Sequence, residues 1–183
     1  GKAWADLSHL SIIAVTGDDR IKWLHDLTTQ HLLNIAAGDW LPAMILDHNG
    51  HVEYQFNVVD DGTTTFIVID PSYAEGLLAY LLKMRFMLKV DARDATSEFS
   101  VLRAPGAATE IGGPYALVPR AELDSMKQIF NENAREVGTW SLDAERVAAG
   151  RPRHGVDTDH KTIPNELGVL NKEVHMNKGC YRG

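Results

Sequence analysis

The stretch WLPAMILDHNG (residues 40–50), HVEYQFNVVD (51–60) and DGTTTFIVI (61–69) decides how the chain folds. Asn49-Gly50 is a strong short-range signal for a hairpin, because both residues tolerate the positive φ that tight turns demand. Beyond it Val52, Tyr54, Phe56 and Val58 alternate with His51, Glu53, Gln55 and Asn57. That is the two-residue period of a strand with one buried face. Asp60-Asp61-Gly62 turns the chain again into Thr63–Ile69, rich in β-branched residues. Pro42 in the first run fits an edge strand or a bulge, since proline cannot donate to a ladder. Residues 40–69 therefore read as a three-stranded antiparallel meander.

Working back, Leu10–Val15 is short and apolar enough for a buried strand, and Gly17-Asp18-Asp19 reads as a turn with an N-cap. Ile21, Leu24 and Leu27, with Trp23 beside them, mark one face of a short helix on which His25-Asp26 reads as a surface pair. Working forward, Asp70-Pro71 is an N-cap followed by proline at the first helical position. Tyr73, Leu77, Leu78, Leu81 and Met84 continue at helical spacing, and Leu88–Val90 and Phe99–Leu102 read as strands. Residues 105–114 (PGAATEIGGP) are a loop by composition. Tyr115–Val118 is a short strand, and Leu123 to Val137 an amphipathic helix closed by Gly138. Leu142–Ala149 is a further short helix ended by Gly150. Residues 151–166 are polar and aperiodic, and long loops of that kind in compact domains tend to be functional.

Strands followed by a helix thus occur twice. The expectation is an α+β fold of duplicated, intertwined antiparallel-sheet-plus-helices halves, about 1–95 and 96–183, forming one domain over 1–183. The length suits a single compact unit.

The net charge is −7, which opposes general affinity for nucleic-acid backbones. Residues 1–140 hold 11 Lys and Arg against 19 Asp and Glu, whereas 141–183 hold 7 against 6. The acidity stops where the polar loop begins, and with His154, His160 and His175 the last part suits an anionic small ligand. No apolar run approaches the ~18 residues of a membrane helix. No charged-then-apolar leader opens the chain, and one cysteine fits a reducing compartment, so the expected location is cytoplasmic. His48 and His51 flank the hairpin turn, but without a third ligand they do not define a metal site.

The lone cysteine lies in Lys178-Gly179-Cys180-Tyr181-Arg182-Gly183. Basic neighbours favour the thiolate, the form that is nucleophilic or binds metal. A small buried hydrophobe flanked by solvated charges is the other reading, because unpaired cysteine is usually buried and inert.

KGCYRG resembles the KGCY-x-G signature of the YgfZ-type folate-binding proteins, relatives of the glycine-cleavage aminomethyltransferase. The resemblance extends to Trp4–His9, Val15–Asp18, Trp23-Leu24 and Leu27–Thr29. It continues through Arg146, Gly150, Pro152, Gly155, Asp157, Pro164 and Glu166, which are similar to the family pattern R-x3-G-x-P-x2-G-x-D…P-x-E.

Membership would imply two halves around a cavity that holds tetrahydrofolate, usually followed by a small β-barrel for which this chain leaves no residues. It would also imply support of iron–sulfur cluster assembly or repair through the motif cysteine, Cys180. The implied partners are folate and iron–sulfur assembly or client proteins, with no nucleic acid and no membrane. Glu166 matches the acidic residue that faces the pterin, whose edge offers adjacent donors that one carboxylate can accept. Arg146, Lys178 and Arg182 would pair with the glutamate tail, and Tyr181 belongs to the same binding set. Asp157 either caps a turn or touches the ligand.

Two other functions stay open: a folate-dependent aminomethyltransferase, and a binding-only folate module. The transferases carry a catalytic aspartate early in the helix after the meander. Here that position falls near Gly76 to Leu78, which cannot handle a proton.

Overall fold

A computed structural model describes residues 2–104 and 115–183. The loop expected at 105–114 lies outside the described residues. Five strands build the main antiparallel sheet: β2 (Ser11–Thr16), β3 (Trp40–Leu46), β4 (Val52–Asp60), β5 (Thr64–Ile69) and β6 (Asp91–Asp94), in the order β3-β4-β5-β2-β6. The meander forms as its turn residues demand. Gly50 sits at φ 86° and Gly62 at φ 97°, and β3, bearing Pro42, is an edge strand with a register shift at Ile45/Leu46.

A second sheet combines β1 (Ala3–Asp6), β7 (Phe99–Arg103), β8 (Tyr115–Pro119) and β9 (Arg135–Glu136), in the order β8-β7-β1-β9. β1 runs antiparallel to β7 and parallel to β9. The N-terminal strand is therefore sandwiched between strands from about a hundred residues or more further along the sequence. Trp4 explains why it stays there. Its ring is fully buried 5.8 Å from Phe130 on α3 (Leu123–Asn133), and its indole N–H donates to Asn131 at 3.0 Å.

One face of the main sheet (Ile13, Val15, Phe56, Val58, Ile67, Ile69) packs on α1 (Arg20–Leu27) and α2 (Pro71–Lys83) through Trp23, Leu24, Leu77 and Leu81. Such side chains contribute about 1.5–3 kcal/mol each on full burial. Asp70 caps α2 by accepting the Ser72 N–H at 3.0 Å, with Pro71 at the first position, as its sequence predicts. The Trp23 indole ties the helices together by donating to the Met84 carbonyl at 3.0 Å. The opposite face (Ile12, Ala14, Phe66, Val68) packs on Ala95 and Val101. A smaller cluster of Met44, Leu46, Val52, Val169, Val174 and Tyr181 lies under the C-terminal segment.

Three local expectations are corrected. Leu88–Val90 is not a strand: Leu88 is exposed, and the strand is β6, whose Ala92 pairs with Val15. α3 stops at Asn133 because the chain must extend for Arg135 and Glu136 to pair with β1, so Val137 lies outside it. α4 (Thr139–Ala148) begins three residues earlier than its apolar pattern implies, with Gly138 at its N-cap. No helix among the described residues is long and apolar enough to cross a membrane.

Candidate functional site

The aperiodic segment after α4 is ordered by one arginine. Arg146, in the last turn of α4, donates from Nε to Asp143 at 2.8 Å and from Nη1 to the Arg151 carbonyl at 2.8 Å, and it also bonds Asp157. Asp157 accepts the Arg153 N–H at 2.9 Å and so closes a turn, the first of its two expected roles. That backbone bond, and then Arg146, hold its carboxyl below the ordinary value. Arg153 in turn bonds Asp70 at 2.8 Å, tying the loop to the α2 cap.

The loop and the end of α4 enclose an open pocket of about 290 Å³ lined by Arg146, Val147, Arg151, Pro152, Glu166 and Leu167, among others. Ligand sites run to roughly 300–1,000 Å³, so this volume suits a single ring system better than a whole drug-sized molecule. Glu166 stands in a 3-10 turn (Pro164–Leu167) and accepts the Ile163 N–H at 3.2 Å. Two guanidinium-bearing side chains, two carboxylates (Asp157, already bonded to Arg146, and Glu166) and an apolar strip thus meet in one place. The donors and acceptors of a flat heterocycle with an anionic tail complement that set.

The pocket joins Arg146 to Glu166 as the sequence pattern implies, but it departs from that expectation in two respects. All of its lining comes from the single stretch 146–167, and it does not include Lys178, Cys180, Tyr181 or Arg182. The Lys178 ammonium is turned to the C-terminal end of α1, donating to the carbonyls of Thr28 at 2.5 Å, Gln30 at 3.1 Å and His25. Positive charge is stabilised there because the His25 and Thr28 carbonyls form the negative end of the helix, with Gln30 just beyond it. Burial pulls Lys178 down to about 8. Tyr181 lies 5.0 Å from that ammonium, with its ring packed in the small C-terminal cluster. Arg182 is 3.1 Å from Glu53, close enough for an ion pair although the angle falls short of a hydrogen bond. Its guanidinium also covers the Tyr80 ring at 5.3 Å. Both cations beside Cys180 are thus engaged elsewhere, and Cys180 itself is exposed. The sulfur is not the small buried hydrophobe of its alternative reading.

Three groups escape a sequence reading. Glu173 is largely buried, and burial raises its carboxyl above the ordinary value. Its one hydrogen bond comes from Gln55 at 2.8 Å. Gln55 in turn accepts the His154 N–H at 2.8 Å, and the His154 ring lies 4.5 Å from Tyr73, with burial lowering its basicity. His25, expected at the surface, is buried and accepts the Leu32 N–H at 3.1 Å. Only the alternation that points Gln55 away from Phe56 hints at any of these. His51 is bonded to Asp47 at 2.9 Å, and among the described residues no group of three His, Cys, Asp or Glu is placed to hold a metal ion.

The fold is similar to part of a glycine-cleavage aminomethyltransferase structure. The crystal structure of glycine cleavage system aminomethyltransferase T from Bartonella henselae superposes with a TM-score of 0.73 and 16% identity, covering 89% of this chain and 55% of that one. In sequence, the chain is similar to the Arabidopsis thaliana protein named "Putative transferase At1g60990, chloroplastic", at 22% identity over 223 residues. That match takes in 100% of this chain and 51% of the relative, so the chain spans about half the length of the protein it resembles. No protein-family model matches the sequence.

Proposed function

We propose that this chain is a tetrahydrofolate-binding domain of the YgfZ type, acting as an accessory factor in iron–sulfur cluster assembly or repair. The observation that carries the folate reading is the convergence of Arg146 and Glu166 on one pocket inside an aminomethyltransferase-like fold. Glu166 would accept the adjacent N–H groups of the pterin edge, Val147 and Leu167 would cover its faces, and Arg146 with Arg151 would meet anionic substituents. The pocket, at about 290 Å³ and open to the surface, would take the ring system and leave the tail to run along the surface. The exposure of Cys180 supports its part, since a thiol that meets a cluster or a partner's thiol must be reachable.

Equilibrium dialysis with reduced folate tests the site. Glu166→Gln removes one charge-assisted acceptor and weakens binding by about 1.5–3 kcal/mol, roughly ten- to a hundredfold. Equal affinity in the variant refutes the pterin assignment.

A second reading, transfer of a one-carbon unit to tetrahydrofolate, is favoured by the printed name of the Arabidopsis relative. Cys180→Ala separates the two. A transferase keeps its turnover of an aminomethylated carrier, whereas an accessory factor loses support of cluster enzymes and still binds folate.

A further inference from the structure

Residues 172–178 are strapped across the end of α1 and the segment that follows it. Gln30 donates to the Lys172 carbonyl at 2.8 Å, Thr29 Oγ1 to the Glu173 carbonyl at 2.6 Å, and the His175 N–H to the Thr29 carbonyl at 2.9 Å. Lys178 closes the strap on the three carbonyls described above. Packed into this seam are three imidazoles far apart in sequence. The ring of His25 lies 4.8 Å from that of His31, and His31 lies 5.1 Å from His175.

The hydrogen bonding fixes protonation. Nδ1 of His25 accepts the Leu32 N–H, so it carries no proton, and a proton placed there would set two donors against each other. Among the described residues Nδ1 of His175 is buried without a partner, so an N–H on that atom would find no acceptor there. The charged groups facing His25 are Lys22 and Asp26 on its own helix, His31 on the following segment, and Lys178 on the strap. Asp26 is exposed and paired to Lys22 at 2.5 Å, so the other groups set the balance. Among the described residues none of the three rings is hydrogen-bonded to a carboxylate that would hold a second proton.

We propose that this seam is a proton-operated latch: neutral His25, stacked with His31 and His175, holds the 172–178 strap on the end of α1, and protonation of His25 lifts it, moving the tail that carries Cys180. The sign follows from linkage. Burial, then Lys178 and His31, lower His25 below its ordinary 6.5, so the closed seam binds fewer protons than the open one. The latch is fully held above about 6.5 and loosens as the pH falls below it. This inference does not depend on what the pocket binds.

Amide hydrogen exchange on the whole chain, corrected for intrinsic rates at about pH 7.5 and about pH 5.5, tests it. The His175 and Leu32 amides open several-fold more at the lower pH while those of β5, between two strands, do not. His25→Gln keeps an acceptor for the Leu32 N–H but cannot titrate, and His31→Phe keeps a ring in the stack. His25→Gln flattens the acid response, and His31→Phe, which replaces the imidazole facing His25, weakens it. Unchanged protection in the native chain overturns the proposal. So does an acid response that survives in both variants, including the case where they lose protection equally at both pH values, as a purely structural role would require.

Discussion

Arg146 and Glu166 line one pocket, yet each is anchored to a different neighbour: Arg146 Nε to Asp143 at 2.8 Å, Glu166 Oε2 to the Ile163 N–H at 3.2 Å. Neither neutralises the other. Both groups line the pocket, each pre-oriented by contacts within its own stretch of chain, with Arg146 already ion-paired to Asp143 and Asp157. Preorganised groups bind more tightly because less freedom is lost on association.

That arrangement makes Asp157 a positioning residue. Asp157→Asn keeps the size of the side chain but weakens its bond to Arg146 and the turn at Arg153. The expected outcome is weaker binding of reduced folate with an unchanged thermal midpoint, read by dialysis and by a melting curve. A fall in the midpoint without a change in affinity would contradict it.

Lys178 is structural by its contacts. Lys178→Met preserves the stem and deletes three charge-assisted bonds, one of them flanked by the Tyr181 ring. Hydrogen bonds to charged groups contribute about 1.5–3 kcal/mol each but are not additive, so a loss of about 2–3 kcal/mol in urea unfolding is expected. Cys180→Ala, at an exposed position, leaves the urea midpoint unchanged.

Asp60 anchors the β4–β5 turn from inside the protein. Arg20 grips both of its oxygens at 3.0 Å, while Thr65 Oγ1 at 2.5 Å and the Gly62 N–H at 2.7 Å also donate to it. Burial opposes ionisation, but these donors outweigh it, and the carboxyl lies below its ordinary 3.8. Its stabilising contribution is thus complete above about 3.8 and is lost as the pH falls through the lower folded value. Asp60→Asn leaves the partly buried Arg20 uncompensated, at a cost below the roughly 3–5 kcal/mol of a fully buried pair. The variant should also lose part of the acid dependence of unfolding below pH 4, measured by circular dichroism.

Gly155 is held at φ +76°, and a Cβ built there would come within 2.1 Å of the Tyr73 hydroxyl. Gly155→Ala combines a left-handed strain of about 1–3 kcal/mol with displacement of the loop behind the pocket. Lower stability and weaker folate binding should appear together.

The parts of the fold that were legible are those fixed by local chemistry. Asn49-Gly50 and Asp61-Gly62 impose their turns, Pro42 marks an edge, and Asp70-Pro71 starts α2. The parts that were not depend on distant chain. β9 is a two-residue strand that exists because β1 offers an edge to Arg135 and Glu136, and no local pattern announces it. The expected Leu88–Val90 strand instead forms the connection into β6, with Leu88 exposed and only Val90 turned into the core. In the site, Arg146 and Glu166 could be paired by motif spacing. The engagement of Lys178 with α1, and of Arg182 with Glu53, could not, because those partners lie over a hundred residues away in the sequence.

The central claim is that the pocket between α4 and the Glu166 turn takes the pterin of a reduced folate. Isothermal titration of the chain with tetrahydrofolate tests it most directly. Saturable one-to-one binding in the native chain, weakened in both Arg146→Ala and Glu166→Gln, is the predicted result. Absence of binding in the native chain, or binding that neither substitution disturbs, contradicts it.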